Sequence, residues 1–407
     1  MAKSKKDKTL FAPVTSIKVV GVGGGGGNAV SRMARDFVRG VDFIAINTDQ
    51  QDLDHVDVKR RIHIGRNLTR GLGTGMNPEI GRQAAEENRS EIAEALRGAD
   101  IVFISVGMGG GTGSGASPVI AEVSKQLGAL TVAVVTKPFS FEGAQREKIA
   151  AEAILKLKDK VDALMVVPND RIFTIISKDT PIMKAFMAID EILKNALRGV
   201  VELIVAPGII NVDFADVKTV MADSGSAIVG IGIASGPERA ITAVTQALNS
   251  PLLEVSAEGA KGVLLGISGG RDLKMTEINE AAKLVSQTVD SSARIIFGAY
   301  YDRSLKPGQV KVTVIATGFA GSGGGSGNLF QPAIPMRSIN PIMTEEDLED
   351  SDNTPIRETN TEALNRLSKD IENSSIIEDR KRDVDSRKKE KDNDIWDIPT
   401  FLRRKKW

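Results

Sequence analysis

The chain has 407 residues, 41% hydrophobic, 26% charged and only 4% aromatic, which suits two or three folded domains with a sizeable core. Its 53 basic and 53 acidic side chains cancel, so no global field draws it to nucleic acid or anionic lipid. The lack of cysteine excludes disulfides and thiolate metal sites and fits a reducing cytoplasm, and two histidines, His55 and His63, are too few for the usual zinc hydrolase. No apolar run approaches the roughly 18 residues of a spanning helix.

Residues 1–15 read as a short, disordered basic arm, because no apolar stretch follows the opening lysines as a signal peptide would require. From Ser16, β-branched runs alternate with helical stretches. Strands are expected at residues 17–20, 41–46, 101–105, 130–135 and 163–167, with helices at 28–39 and 145–157 among the connections. That order predicts an α/β fold with a doubly wound, mostly parallel sheet, whose ligand site lies at the carboxyl ends of the strands. Residues 181–206 follow as one long helix, apolar on most faces and therefore expected to be buried and central. A second α/β region spans residues 207–319, with strands at 227–233, 262–267, 294–299 and 310–317.

At Gly321 the composition changes. No aromatic residue occurs between Gln331 and Ile395, and roughly half of residues 344–392 are charged, so residues 320–393 read as a disordered linker. Residues 394–407 carry both tryptophans, Trp396 and Trp407, next to Arg403, Arg404, Lys405 and Lys406. A hydrophobic and basic tip on a tether reads as a partner-docking peptide.

Two glycine-rich loops carry the chemistry. Gly21-Val-Gly-Gly-Gly-Gly-Gly-Asn28 follows a strand and opens a helix, so its backbone N–H groups and the helix terminus favour a phosphate. It also satisfies G-x-G-x-x-G, which leaves a dinucleotide-binding domain open, with Asp49 as the acidic residue after the second strand. Gly107-Met-Gly-Gly-Gly-Thr-Gly-Ser-Gly115 repeats the arrangement after the next predicted strand. Two cradles at strand ends suit a nucleoside triphosphate, with Thr112 and Ser114 as added hydroxyl donors. No Gly-Lys pair exists, which excludes a P-loop, and no Asn-Lys-x-Asp stands ready to read guanine. Gly266-Ile-Ser-Gly-Gly270 matches the nucleophile-elbow pattern, but no histidine follows it and helical periodicity resumes only near Thr276. A buried strand ending in a turn is the better reading. Asp213 and Asp216, three apart, read by spacing alone as a helix cap with an acidic third position.

The loop Gly109-Gly-Gly-Thr-Gly-Ser-Gly115 resembles the signature of the tubulin/FtsZ family. It is accompanied in order by Asn47-Thr-Asp49, Gly71-Leu-Gly-Thr-Gly-Met-Asn-Pro-Glu79, Pro138-Phe-Ser-Phe-Glu-Gly143 with Arg146, Pro168-Asn-Asp170 and Asn211-Val-Asp-Phe-Ala-Asp216. The resemblance covers residues 17–319, and the tethered tail is similar to that of the FtsZ branch rather than the tubulins. It implies a GTP-binding domain (16–180), a central helix (181–206) and a C-terminal polymerisation domain (207–319). It further implies that Gly24, Gly25, Gly26, Gly27 and Asn28 contact GTP or GDP, and that Gly109, Gly110, Gly111, Thr112 and Gly113 wrap the phosphates. Glu142 and Arg146 would hold the ribose, Phe186 would stack on the base, and Asn28, Asn169 and Asp190 would hydrogen-bond guanine. Thr74, Gly75 and Asn77 would sense the γ-phosphate. Asn211, Asp213 and Asp216 would enter the site of the next subunit and position the attacking water, so that hydrolysis accompanies head-to-tail assembly. Mg²⁺ would assist without a dedicated protein cage. The resemblance also implies a cytoplasmic protein at the mid-cell division ring, tethered to membrane only indirectly through partners of residues 394–407.

Overall fold

The computed structural model describes residues 15–35, 40–174, 176–177, 179–205, 208–250, 257–302 and 305–319. The expected arm up to residue 14, the end of the first helix at 36–39, the linker and the docking peptide lie outside the described residues. The first half of the fold runs β1 (Ile17–Val22), α1 (Gly23–Arg35), β2 (Val41–Asn47), α2 (Gln50–His55), β3 (Arg60–His63), α3 (Arg66–Thr69), α4 (Pro78–Glu87), α5 (Arg89–Leu96), β4 (Ile101–Gly107), α6 (Gly111–Gln126), β5 (Leu130–Lys137), α7 (Ala144–Lys158) and β6 (Ala163–Pro168). The second runs α8 (Ile182–Val205), β7 (Gly208–Ile210), α9 (Phe214–Met221), β8 (Gly225–Ser235), α10 (Arg239–Leu248), β9 (Gly262–Gly269), α11 (Met275–Thr288), β10 (Arg294–Tyr301) and β11 (Gln309–Thr317).

The strands form one sheet in the order β3-β2-β1-β4-β5-β6-β8-β11-β9-β10-β7. The first six are all parallel. Their side chains alternate between two cores, as strands covered by helices on both faces must. Val19 and Phe103 point into one core, Val20 and Ile104 into the other, and all four are fully buried. The second half is mixed: β11 is antiparallel to both β8 and β9, while β9 and β10 are parallel. The two halves join where Ala163 and Leu164 of β6 pair with Gly225 and Ser226 of β8. Asp162 reinforces that junction. Its carboxylate accepts the Thr131 N–H at 2.8 Å and lies 3.1 Å from the Lys125 ammonium, which also reaches Asp223 at 2.8 Å.

Helix α8 ties the halves together, but its burial is uneven. Leu197, Val200, Val201 and Leu203 are buried in the core shared with Leu264 and Ile315 of the second half. Toward its N-terminus Met183, Phe186 and Met187 are exposed by 67%, 42% and 58%, so the expectation of burial all round holds only for the C-terminal part. The reason is position: Met183 and Phe186 line a cleft rather than a core. Helix α1 also departs from expectation, since it begins at Gly23 and takes the glycines into its first turns. Glycine in a helix costs about 1 kcal/mol relative to alanine. Here the helix approaches β4 so closely that a Cβ on Gly26 would fall on the Ser105 carbonyl oxygen. The elbow-like Ser268 lies within β9, fully buried, its hydroxyl 3.4 Å from the Lys311 carbonyl. It is a core residue.

Candidate nucleotide site

The carboxyl ends of β1, β2, β4, β5 and β6 open into a cleft of about 690 Å³. Such a position is where a parallel sheet collects ligands, because the strand ends meet the N-termini of the following helices. At one end of the cleft the walls are backbone. Gly23 to Gly26 come from the start of α1, and Gly110, Gly111, Thr112 and Gly113 from the start of α6. The N-cap of α6 is Gly110, with no side chain to satisfy the first N–H groups, so these remain available to an anion. A Cβ on Gly111 would collide with Thr74 Oγ1 and the Asn77 backbone, so the loop needs glycine to nest against the 73–77 turn.

Three buried hydroxyls knit the loops. Thr112 Oγ1 lies 2.6 Å from Thr48 Oγ1 and 3.4 Å from Thr74 Oγ1. The Thr48 carbonyl accepts in turn from Thr69 Oγ1 at 3.1 Å and lies 3.1 Å from His63 Nε2. A change at the 73–77 turn is therefore felt at the loops after β2 and β4. Ser114 takes a different part from the one expected of it. Its Oγ accepts the Gly109 N–H at 3.0 Å and is buried behind the loop, so it shapes the cradle instead of lining it.

At the other end side chains take over. Asn28 and Arg32 face in from α1, Glu142 from the β5–α7 connection, Arg146 from the first turn of α7, Asn169 from the end of β6, and Phe186 and Asp190 from α8. Arg146 pairs with Glu142 at 2.8 Å, and Glu142 also accepts the Phe139 N–H at 2.9 Å. The Phe139 ring meets Phe186 edge-on, with centroids 5.7 Å apart. Asn169 Oδ1 is buried without a hydrogen-bond partner. A buried carbonyl left unpaired costs about 1–3 kcal/mol, so an amide oxygen in this state at a cleft wall is suited to receive a donor from a ligand. Asp190 Oδ2 is 2.6 Å from Arg32 Nε, an ion pair by distance without the alignment of a hydrogen bond. Burial pushes the Asp190 carboxyl upward; the Arg32 guanidinium pulls it back, and burial wins on balance.

Of the residues singled out from sequence, Gly24, Gly25, Gly26, Asn28, Gly110, Gly111, Thr112, Gly113, Glu142, Arg146, Asn169, Phe186, Asp190, Thr74 and Gly75 line this one cleft. Gly27, Gly109 and Asn77 do not. Gly27 packs toward Val56, Gly109 is held by Ser114, and Asn77 caps α4 by accepting the Glu79 N–H at 3.0 Å. Asn211, Asp213 and Asp216 are exposed and outside the cleft. Asp213 is the N-cap of α9, its Oδ1 3.4 Å from the Ala215 nitrogen, and Asn211 Oδ1 accepts the Gly208 N–H at 2.7 Å. Sequence reasoning overlooked Arg32, Asp52 and Ser105 as lining residues. Arg32 had a visible signal, since it lies four residues after Asn28 and so on the same helix face.

Comparison with known proteins agrees with this geometry. Residues 16–177 match the Tubulin/FtsZ family, GTPase domain, and residues 225–320 the FtsZ family, C-terminal domain. The fold is similar to an empty FtsZ dimer from M. jannaschii at 48% identity, covering 75% of this chain and 88% of that one, with a TM-score of 0.71. A mutant of FtsZ from the same organism gives 48% identity, 74% and 91% coverage and a TM-score of 0.70. CetZ2 from Haloferax volcanii, a GTPγS-bound protofilament, shares the fold at 24% identity, 76% and 95% coverage and a TM-score of 0.65. With a GTPase domain that implies binding of GTP and GDP, two domains matched in order and nearly half its residues shared with an FtsZ over three quarters of its length, this chain belongs to the FtsZ family.

Proposed function

We propose that this protein hydrolyses GTP between subunits of a head-to-tail filament, with one subunit's cleft completed by the acidic loop of the next. The observation that carries the reading is the separation of the two parts. The cleft holds the N-terminal end of α8, while Asn211, Asp213 and Asp216 follow its C-terminal end. The cleft residues of α8 end at Leu193, and the 12 residues from there to Val205 rise about 18 Å, so Asp213 and Asp216 stand well outside their own subunit's cleft. They are exposed and free to meet another copy. The M. jannaschii relative is a dimer and CetZ2 a protofilament, which supports self-association as the setting.

In this reading the glycine loops bind the phosphates through backbone amides, and Glu142 with Arg146 holds the ribose. Phe186 stacks on the base, and Asn28, Asn169 and Asp190 read guanine, the carboxylate offering two acceptors to N1–H and N2–H₂. Thr74 and Gly75 report the γ-phosphate to the Thr112–Thr48 hydroxyl pair, with Asn77 contributing from behind the turn, where it caps α4. Asp213 and Asp216 of the adjoining subunit orient the attacking water, since phosphoryl transfer depends on positioning and charge stabilisation. Among the described residues no cluster of three or more metal-ligating side chains exists. Mg²⁺ is typically held by one or two carboxylates together with substrate phosphates, and Asp49 and Asp52 are the carboxylates lining the phosphate end. When bound, the ion supplies charge neutralisation. Residues 16–180 form the GTP-binding unit, 181–206 the central helix and 207–319 the polymerisation unit. Residues 394–407 engage partners at a cytoplasmic mid-cell division ring.

The test is phosphate release as a function of protein concentration. Turnover per subunit should rise steeply with concentration, and Asp213→Ala or Asp216→Ala should abolish it while GTP affinity stays within about two-fold. Loss of affinity in step with activity would overturn the assignment in trans.

A further inference from the structure

The pairing of Arg32 with Asp190 has a consequence for the base that the cleft accepts. Arg32 stands one turn beyond Asn28 on α1, and its guanidinium bridges the cleft to α8, with Nε 2.6 Å from Asp190 Oδ2. The Asp190 side chain is 15% exposed and that of Arg32 45%, so the carboxylate is the withdrawn partner and the guanidinium reaches it from the wet side. The neighbouring charges at this end are already matched, Glu142 with Arg146. Arg32 is the group that offsets the burial of Asp190.

The protonation state of this carboxyl decides more than the strength of binding. Ionised, it is an acceptor at both oxygens and matches two neighbouring donors, N1–H and N2–H₂ of guanine. Protonated, it becomes one donor beside one acceptor, the pattern that meets N1 and N6–H₂ of adenine. A base stacked on Phe186 would bury Asp190 further and push it toward the protonated, adenine-compatible form. A fixed positive charge at the same oxygen opposes this. Each carboxylate oxygen has two lone pairs, so contact with Arg32 leaves Oδ2 able to accept from a ligand as well.

We infer that Arg32 is a specificity-determining positioning residue: its guanidinium keeps Asp190 a double acceptor, so that guanine is held and adenine refused. The inference rests on the assignment of Asp190 to base recognition proposed above. Calorimetric titration of the nucleotide-free full chain with GDP and with ADP tests both. Arg32→Gln should lower the GDP-to-ADP affinity ratio by about ten-fold or more, while Arg32→Lys, which restores the charge, should stay within about three-fold of the parent ratio. Arg32→Met, which keeps the stem, gives the same comparison should the Gln variant fold poorly. Equal weakening of both nucleotides, or an unchanged ratio, would show that Arg32 merely supports the wall and would overturn the inference. Asp190→Asn separates the two levels. If it keeps the preference for GDP, the base-reading assignment itself falls, and if it loses the preference while Arg32→Gln keeps it, only the role of Arg32 falls. Combining Arg32→Gln with Asp190→Asn should lower the ratio no further than Asp190→Asn alone; an added drop would place the action of Arg32 elsewhere and overturn the inference.

Discussion

In the second half of the fold Lys311 lies 2.9 Å from both Glu202 and Asp302, Arg198 lies 2.6 Å from Glu202, and Arg239 reaches Asp272 at 2.5 Å and Glu277 at 2.7 Å. In the first half, at the ends of β4 and β6, Ser105 Oγ and Asn169 Oδ1 are buried without a partner, and the first amides of α6 carry no cap. The second half closes its withdrawn charges on each other, although Ser226 Oγ there is also buried without a partner, whereas the first half leaves Ser105 and Asn169 at the wall of a cleft. Matched groups fix a fold; unmatched groups at a strand end await a ligand. Two glycine-rich strand ends make the same point. The loop after β4 lines the cleft, while the superficially catalytic Gly266–Gly270 stretch places its serine in the core.

The comparison is broken most severely by unpairing a closed network. Lys311→Met removes the cation shared by buried Glu202, which keeps Arg198, and partly buried Asp302, and should cost about 3 kcal/mol, read as a lower urea midpoint. Nucleotide affinity of the folded fraction should be kept. On the open side, Gly111→Ala sets a methyl group against Thr74 and Asn77. It should cost about 1–3 kcal/mol of stability and lower GTP affinity by about ten-fold, measured by titration. Ser114→Ala strands the buried Gly109 N–H and should cost about 1 kcal/mol, with Ser114→Thr restoring it. The smallest effect belongs to the surface. Arg82→Ala removes an exposed pair with Glu79 and should leave the thermal midpoint unchanged within error.

The parallel strands could be read directly because burial on both faces makes them near-continuous apolar runs, as in Ile101–Gly107. Strand β3 escaped notice for the opposite reason: Arg60 and Arg61 are exposed at the edge of the sheet, and only Ile62 and His63 turn inward. The exposed start of α8 was illegible because Met183 and Phe186 have the composition of core residues, and periodicity cannot tell a core from a cleft. The glycine-walled end of the cleft was visible in the sequence, since backbone chemistry leaves a compositional trace. The end proposed to hold the base depends on side chains brought from α1, β6 and α8, and those could be assembled only through family resemblance. The reorientation of Ser114 away from the cleft left no trace in the sequence at all.

The sheet continues from β6 to β8 through two residue pairs, whereas β11 meets β8 over nine. Stiffness across a sheet comes from its ladder of hydrogen bonds and from the side chains that lock neighbouring strands. A plate scored along one line bends along that line. Load passed from the nucleotide half to the second half is therefore concentrated at the Ala163–Gly225 seam, where the Lys125 latch on Asp162 and Asp223 and the spar of α8 share it. The ladder is thinnest along that seam, so bending between the halves is expected to meet least resistance there.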